Sequence, residues 1–161
     1  MRRAMYPGTF DPITYGHLDI IERSLRVFDE LVVSVADTRT GSLFSVEDRV
    51  WLVKEATKHL NGIQVVSFRD LLVTHWRELG CPTVIRGLRA VQDFEAEFAM
   101  ALANRRLADD FEILFLMPRS DYVFLSATMV REIAQWGGDV SSMVPAVVEK
   151  FLRDRYAAKN R

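Results

Sequence analysis

Three short segments of this 161-residue chain combine glycine, hydroxyl and charged side chains at spacings that suit a phosphate. The first ends in Thr14-Tyr15-Gly16-His17, after which apolar residues follow helical spacing. A glycine in this segment lets a phosphate approach the backbone, and a helix start offers free N–H groups and a partial positive charge. His17 lies in the first helical turn and is aimed at the same place. Taken alone, a Gly-His pair also fits a plain connecting loop with an exposed histidine.

The second segment places two arginines around a glycine, at the end of an apolar run that reads as a strand. Arg86 and Arg89 are three residues apart and flank Gly87. Guanidinium groups suit phosphate oxygens and remain charged inside a pocket. The alternative is a surface pair that forms salt bridges with Asp93 or Glu95. Composition alone leaves both interpretations open.

The third segment puts hydroxyl residues at a helix start. Ser126 and Thr128 flank Ala127 there. Such residues commonly do no more than cap the helix.

Apolar runs rich in β-branched residues alternate with amphipathic stretches along the whole chain. Strands are predicted at 4–6, 31–36, 63–66, 83–86 and 112–117. Helices are predicted at 17–28, from 45 onward with Ser45 and Asp48 as a capping box, and at 70–79, 93–107, 126–136 and after Pro145. This alternation predicts one α/β domain over residues 1–161, a Rossmann-like parallel sheet with helices on both faces. Ligands of such sheets bind at the carboxyl ends of the strands, at a topological switch point.

Composition and charge restrict the function classes. The net charge of −1 provides no diffuse field for nucleic acid or an anionic membrane, so neither is expected as a partner. Cys81 is the only cysteine, and the three histidines lie far apart without metal-ligand spacing. We therefore expect no metal held by protein side chains, no signal or transmembrane segment, and a cytoplasmic location.

All three segments resemble the signatures of one enzyme family. Thr14-x-Gly16-His17 resembles the His/Thr-x-Gly-His core of the nucleotidylyltransferase superfamily, and the preceding Tyr-Pro-Gly-Thr-Phe-Asp-Pro resembles its bacterial phosphopantetheine adenylyltransferases. The string Arg-Gly-Leu-Arg-Ala-x-x-Asp-Phe-Glu-x-Glu from Arg86 is similar to that family's second signature. The third segment is similar to Ile-Ser-Ser-Thr-x-x-Arg, with Leu125 for isoleucine and Ala127 for the middle serine. The resemblance covers nearly the whole chain.

The resemblance implies a role for each matching position. His17 is the implied catalytic residue, a transition-state stabiliser. ATP is implied to contact Thr9, Phe10, His17, Gly87, Leu88, Arg89, Glu97, Tyr122, Val123, Phe124, Leu125, Ser126, Ala127 and Thr128. Phosphopantetheine is implied to contact Thr9, Arg39, Thr40, Leu72 and Arg86. The family also implies Mg²⁺ carried with ATP, a homohexamer, and feedback inhibition by coenzyme A.

The expected reaction moves the adenylyl group of ATP to 4′-phosphopantetheine, giving dephospho-coenzyme A and pyrophosphate in the penultimate step of coenzyme A biosynthesis. The attacking phosphate is already anionic at neutral pH, because its second pKa is about 6, so no strong general base is needed. One rival is a nucleotidylyltransferase that uses nicotinate mononucleotide, or a phosphorylated alcohol with CTP. The other is a non-catalytic nucleotide sensor, which an intact His17 disfavours.

The loop at 37–44 departs from the family pattern. The family has a lysine that reaches the reacting phosphates, and this position falls at Thr40 when the chain is aligned on Leu43-Phe44. Arg39, one residue earlier, is the only cation of the loop. Either Arg39 does the work of the lysine from a shifted position, or the contact is absent.

Two aromatic residues on the fourth predicted helix have two possible roles. Phe94 and Phe98 are spaced i, i+4 and are expected in the core or at a subunit interface. His59 and His75 are expected to be structural.

Overall fold

The computed structural model describes residues 1–38, 41–89 and 91–159. Its centre is a five-stranded, fully parallel sheet with the strand order β3-β2-β1-β4-β5. The strands are β1 (Arg3–Gly8), β2 (Glu30–Ala36), β3 (Ile63–Phe68), β4 (Thr83–Gly87) and β5 (Ile113–Leu116). The predicted fold class is confirmed.

Helices cover both faces of this sheet. They are α1 (Tyr15–Ser24), α2 (Val46–Thr57), α3 (Leu72–Leu79), α4 (Val91–Leu107), α5 (Ala127–Gln135) and α6 (Ala146–Lys159), with a short 3₁₀ turn at Ser120–Tyr122. Buried residues of α1, α2, α5 and α6 form one core with Ala4 and Tyr6 of β1. On the opposite face, Met5 belongs to a smaller core with Val73 and Trp76 of α3. None of the helices in the described ranges is long and apolar enough to cross a bilayer.

The topological switch point lies between β1 and β4, where the chain order reverses. β1 pairs with β2 along its whole length, up to Gly8 opposite Val35. With β4 its pairing covers only Ala4–Thr83 and Met5–Val84. The carboxyl ends of β1 and β4 therefore stop pairing before the strands end, and a cleft opens there.

The helix next to the first strand differs from its predicted bounds. It begins at Tyr15 rather than His17, because Thr14 serves as the N-cap. It ends at Ser24 rather than Phe28. The backbone N–H of Phe28 still bonds to the carbonyl of Ser24, but the residues between them form turns and do not continue the helix. His17 is therefore the third helical residue rather than the first.

The second helix has only half of its predicted capping box. The hydroxyl of Ser45 accepts from the backbone N–H of Asp48 at 3.1 Å. The carboxylate of Asp48 instead accepts from Arg155 of α6 at 3.2 Å. This carboxylate therefore joins two helices rather than completing the cap.

Phe94 and Phe98 of α4 were predicted to lie either in the core or at a subunit interface, and the structure excludes the core. Phe94 and Phe98 stack on each other with centroids 5.6 Å apart and are 43% and 49% exposed. Placement in the core of the chain is therefore wrong for this pair. His75, in contrast, is buried, stacks on Phe68 and bonds to the hydroxyl of Ser34 at 3.0 Å, as a structural role requires.

Candidate active site

A cleft of about 480 Å³ opens at the carboxyl ends of β1 and β4 and brings the three segments together. Most of the site residues predicted from the sequence line it. They are Thr9, Phe10, His17, Arg86, Gly87, Arg89, Glu97, Leu125, Ser126, Ala127 and Thr128. Segments separated by more than 100 residues therefore form one concave surface, as is usual for a small-molecule site.

Five other predicted site residues do not line this cleft. Leu72 packs against the smaller core on the opposite face of the sheet. Leu88 uses its backbone N–H to bond to the carbonyl of Leu116, which extends the sheet. Phe124 is 81% exposed, and Tyr122 packs against the main core. The fifth residue is Val123, which follows the 3₁₀ turn. Arg39 and Thr40 lie outside the described residues.

His17 is held by a reciprocal cap at the start of α1. The hydroxyl of Thr14 accepts from the backbone N–H of His17 at 3.4 Å, and Nδ1 of His17 accepts from the backbone N–H of Thr14 at 3.0 Å. Because Nδ1 is an acceptor, the imidazole proton lies on Nε2. Nε2 has no hydrogen-bond partner within the described ranges, so it is available to a ligand in the cleft.

Burial keeps the His17 imidazole neutral. Loss of solvent, reinforced by the positive charges of Arg89 and Arg86, lowers the pKa of His17 to about 3. A neutral imidazole with its proton on Nε2 donates one hydrogen bond without carrying a formal charge. His17 therefore suits an anion that gains charge during a reaction.

Gly8 and Phe10 shape the wall beside His17. The Phe10 ring meets the His17 ring edge-on at 5.0 Å between centroids. A Cβ on Gly8 would lie 3.0 Å from two atoms of the Phe10 ring, so the glycine makes room for this ring. Phe10 has a φ of +49°, a left-handed conformation that is rare for a bulky residue. Such conformations concentrate at functional sites.

Arg86 is paired inside the cleft. Its guanidinium donates to both carboxylate oxygens of Glu97, at 2.9 and 2.5 Å, and to the carbonyl of Pro7 at 2.7 Å. Burial lowers the pKa of Arg86, but the hydrogen bonds and charge of Glu97 outweigh burial and raise it overall. Arg86 is therefore a permanent cation that keeps further N–H groups for a ligand.

Arg89 connects the second segment to the third. It forms a salt bridge to Asp93 at 3.2 Å and donates to the carbonyl of Leu125 at 2.7 Å. The sequence-based alternative, in which an arginine pairs with Asp93, thus describes part of what Arg89 does. Because Arg89 also lines the cleft, the pairing does not exclude a ligand role.

The start of α5 leaves two backbone donors facing the cleft. Ser126 caps the helix and accepts from the backbone N–H of Met129 at 3.1 Å. The backbone N–H groups of Ala127 and Thr128 have no acceptor in the part of the chain that the structure describes, and both residues line the cleft. The alanine at 127 therefore retains the donor that a helix N-terminus offers to an anion.

Arg131, Tyr6 and Arg49 are among the residues in or beside this site that sequence reasoning did not assign. Arg131 lines the cleft and donates to the carbonyl of Asp11 at 2.5 Å and to the hydroxyl of Thr128 at 3.3 Å. It ends the third signature, which was the signal that could have revealed it. Tyr6 lines the cleft, and burial raises its pKa to about 12. Arg49 is fully buried beneath the cleft, and no pattern in the sequence distinguishes it from a surface arginine.

Comparisons with known proteins agree on one family. Residues 5–133 match the family model described as cytidylyltransferase-like. The chain is 49% identical over 157 residues to the phosphopantetheine adenylyltransferase of Thermodesulfovibrio yellowstonii, covering 96% of this chain and 98% of the relative. It is 50% identical over 155 residues to that of Gloeobacter violaceus, covering 96% of both chains.

One solved structure supports the fold. A Vibrio parahaemolyticus protein, solved as a candidate nicotinate-nucleotide adenylyltransferase, superposes with a TM-score of 0.72 at 20% identity. The match covers 97% of this chain and 95% of that one. At this identity the likeness concerns the fold and not the substrate.

Proposed function

Because the chain belongs to the phosphopantetheine adenylyltransferases of the cytidylyltransferase-like family, we propose that it transfers the adenylyl group of ATP to 4′-phosphopantetheine. The products are dephospho-coenzyme A and pyrophosphate, in the penultimate step of coenzyme A biosynthesis. The observation that carries this proposal is the neutral, oriented imidazole of His17, in one cleft with Arg86, Arg89 and the start of α5.

In the proposed reaction the phosphate of phosphopantetheine attacks the α-phosphorus of ATP. An oxygen–phosphorus bond forms there, and the bond from the α-phosphorus to the bridging oxygen of pyrophosphate breaks. Both the attacking and leaving groups are anions, so the step needs no proton transfer and no covalent intermediate on the enzyme. Catalysis is then left to positioning and to neutralising charge at the α-phosphate.

Each cleft residue has a part in this step. His17 donates from Nε2 to a non-bridging oxygen of the α-phosphate, where negative charge increases in the transition state. The backbone N–H groups of Ala127 and Thr128 bind the triphosphate. Arg86 binds the phosphate of phosphopantetheine and Arg89 binds ATP, and together they reduce the repulsion between the two anions.

Mg²⁺ enters with ATP in this proposal. The carboxylates of the cleft are already engaged: Glu97 with Arg86, Asp93 with Arg89, and Asp11 with backbone N–H groups. The described residues hold no cluster of three metal-ligating side chains. These contacts support an ion held mainly by phosphate oxygens and water, which is the usual mode for nucleotide-bound magnesium.

The experiment that tests the reaction is identification of its product by mass spectrometry. Purified protein with ATP, Mg²⁺ and 4′-phosphopantetheine is expected to form dephospho-coenzyme A. Nicotinate mononucleotide in place of phosphopantetheine is the specificity control and is expected to give no dinucleotide. A dinucleotide from that control, without dephospho-coenzyme A from the first mixture, would contradict the proposed substrate.

A homohexamer is the proposed assembly. Large apolar side chains on α4 and around β5 remain exposed in the single chain, which supports an interface there. They are Phe94, Phe98, Met100, Leu102, Leu107, Leu114 and Met117. Light scattering on the purified protein is expected to give about six times the 18.5 kDa chain mass. A monomer mass would contradict this assembly.

The cytoplasm is the proposed location of the protein.

Coenzyme A is the proposed feedback inhibitor. It contains the pantetheine and adenylyl parts of both substrates, so it can occupy the same cleft. Inhibition is therefore expected to be relieved by raising the concentration of the substrates. Inhibition that does not respond to either substrate would contradict binding in the cleft.

A further inference from the structure

Arg49 of α2 is the largest of the fully buried side chains, with 1% of its surface exposed. Burial lowers the pKa of this guanidinium, and the charges of Asp11, Asp37 and Glu47 oppose the shift. Within the described residues, no carboxylate lies within salt-bridge distance of it. Burying a charge without an ionic partner is expensive, so the hydrogen bonds that Arg49 makes must compensate.

Those hydrogen bonds join three segments beneath the cleft. Nη1 of Arg49 donates to the carbonyl of Thr9 at 2.6 Å and to that of Ala36 at 2.7 Å. Nε donates to the carbonyl of Phe44 at 3.3 Å. The three acceptors lie just after β1, at the end of β2 and just before α2. One side chain therefore connects the turn that precedes His17 with both ends of the chain between β2 and α2.

Asp11 holds the same region through a second set of hydrogen bonds. Its carboxylate is buried and accepts from the backbone N–H of Leu43 at 2.7 Å and of Phe44 at 3.0 Å. The segment 41–44 is thus fixed through two N–H groups by Asp11 and through one carbonyl by Arg49. Its first two residues, Gly41 and Ser42, line the cleft.

We propose that Arg49 is a positioning residue, which together with Asp11 fixes the segment 41–44 against the turn that precedes His17. This inference rests on the proposed function, because its purpose is to hold the wall of the cleft in register with the reacting phosphates. Arg49 itself touches no substrate, since its side chain lies beneath the carbonyl of Thr9 rather than in the cleft.

The informative variant is Arg49→Lys. It keeps the charge, but a single ammonium group cannot reproduce the planar fork that reaches three separate carbonyls. A displacement of about 1 Å in a catalytic wall can cost on the order of 10²-fold in rate. We expect kcat to fall by at least about tenfold. The Kd for ATP is expected to change by less than about threefold, because Arg89 and the start of α5 do not contact Arg49.

The second readout needs no substrate. Hydrogen exchange at the amides of Leu43 and Phe44 reports the bonds to Asp11 directly. In Arg49→Lys these two amides are expected to exchange at least about tenfold faster, with amides of the central strand β1 unchanged. Asp11→Asn has only one acceptor oxygen and is expected to show the same two effects.

Arg153→Lys is the control for exchanging an arginine for a lysine. Arg153 lies on α6, has an exposed side chain and binds Glu149 of the same helix at 2.7 Å. This variant is expected to keep kcat, ATP affinity and the exchange of Leu43 and Phe44 at wild-type values.

The outcomes separate the positioning role from the proposed function. Slower turnover, near-normal ATP affinity and faster exchange confined to the segment 41–44 support the role. It is overturned if Arg49→Lys behaves like Arg153→Lys, or if exchange rises throughout the sheet together with a loss of ATP binding, which marks a general structural defect. An inactive wild-type enzyme would refute the proposed function alone, because the exchange measurement still decides whether Arg49 fixes the segment.

Discussion

The backbone N–H of Thr14 donates to Nδ1 of His17 at 3.0 Å, while the Thr14 hydroxyl caps the backbone N–H of His17. The same pair thus begins the helix and orients the ring. A capping box normally uses Glu or Gln at this third helical position. Here a histidine takes it, so the cap also fixes which ring nitrogen carries the proton. The motif Thr-x-Gly-His is in this sense a local structure as well as a catalytic element.

Replacing His17 with alanine is expected to lower kcat by about 10²–10³-fold, or about 3–4 kcal/mol, the usual loss for one transition-state donor. ATP binding is expected to change far less, because the start of α5 and Arg89 remain. Steady-state kinetics and calorimetric titration of ATP measure the two effects. Turnover at a near wild-type rate would refute the transition-state role.

The protonation state of His17 is itself measurable. Its pKa is lowered to about 3, so the ring is expected to stay neutral at pH 5, with the proton on Nε2. Nitrogen NMR of the imidazoles distinguishes the two ring nitrogens, and the spectrum of His17→Gln assigns the signal. A titration midpoint close to the ordinary value of about 6.5 would contradict the lowered pKa of this ring.

The same lowered pKa sets the sign of a stability effect. Between about pH 6.5 and 3 the unfolded chain binds a proton at His17 that the folded chain does not. The contribution of neutral His17 to the free energy of unfolding is therefore fully present above about pH 6.5 and is lost progressively as the pH falls. Denaturant titrations at several pH values measure the free energy of unfolding. As the pH falls through this range, that free energy is expected to decrease less steeply for His17→Gln than for the wild type. Equal pH dependences would argue against the lowered pKa of His17.

The two cleft arginines are predicted to serve different substrates. Arg86→Ala is expected mainly to weaken phosphopantetheine binding, and Arg89→Ala mainly ATP binding. Because Arg86 is paired with Glu97, its removal also leaves an uncompensated carboxylate in the cleft. Arg86→Ala combined with Glu97→Gln therefore isolates the direct contact. Calorimetric titration of each ligand decides, and equal losses of both ligands in all variants would refute the division.

Arg39 remains a sequence-based prediction, since it lies outside the described residues. Arg39→Ala is expected to raise KM for phosphopantetheine and to lower kcat, because the same charge helps bring two anions together. Adding Thr40→Lys is expected to recover much of the activity by restoring the family's lysine. Unchanged kinetics in Arg39→Ala would identify it as a solvated loop residue.

The sequence predicted the centre of the sheet well because β1 and β2 are buried on both faces and read as continuous apolar runs. The predicted strand 31–36 and the observed Glu30–Ala36 differ by one residue. Helix ends were less accurate, as they depend on single caps: the role of Thr14 moved the start of α1 by two residues. Many of the predicted site residues line the cleft because they sit on the three signatures, while their roles toward the substrates stay predictions.

Pairing between distant residues could not be predicted. Glu97 looks like one acid of a charged helix, and only the fold brings it to Arg86. Nothing local in the sequence shows that Gly8 makes room for the ring of Phe10. Arg49 carries no local pattern because its partners are backbone carbonyls from three segments. Contacts of this kind depend on tertiary geometry, which periodicity and motifs do not encode.

Pyrophosphate release from ATP, with and without 4′-phosphopantetheine, is the most direct measurement of what this cleft does. With Mg²⁺ present, the wild-type enzyme is expected to release pyrophosphate only when phosphopantetheine is added, in a one-to-one ratio with dephospho-coenzyme A. His17→Ala is expected to bind ATP and release pyrophosphate about 10²–10³-fold more slowly. Release that does not depend on phosphopantetheine, or no release by the wild type with both substrates, would contradict an adenylyltransferase acting on phosphopantetheine.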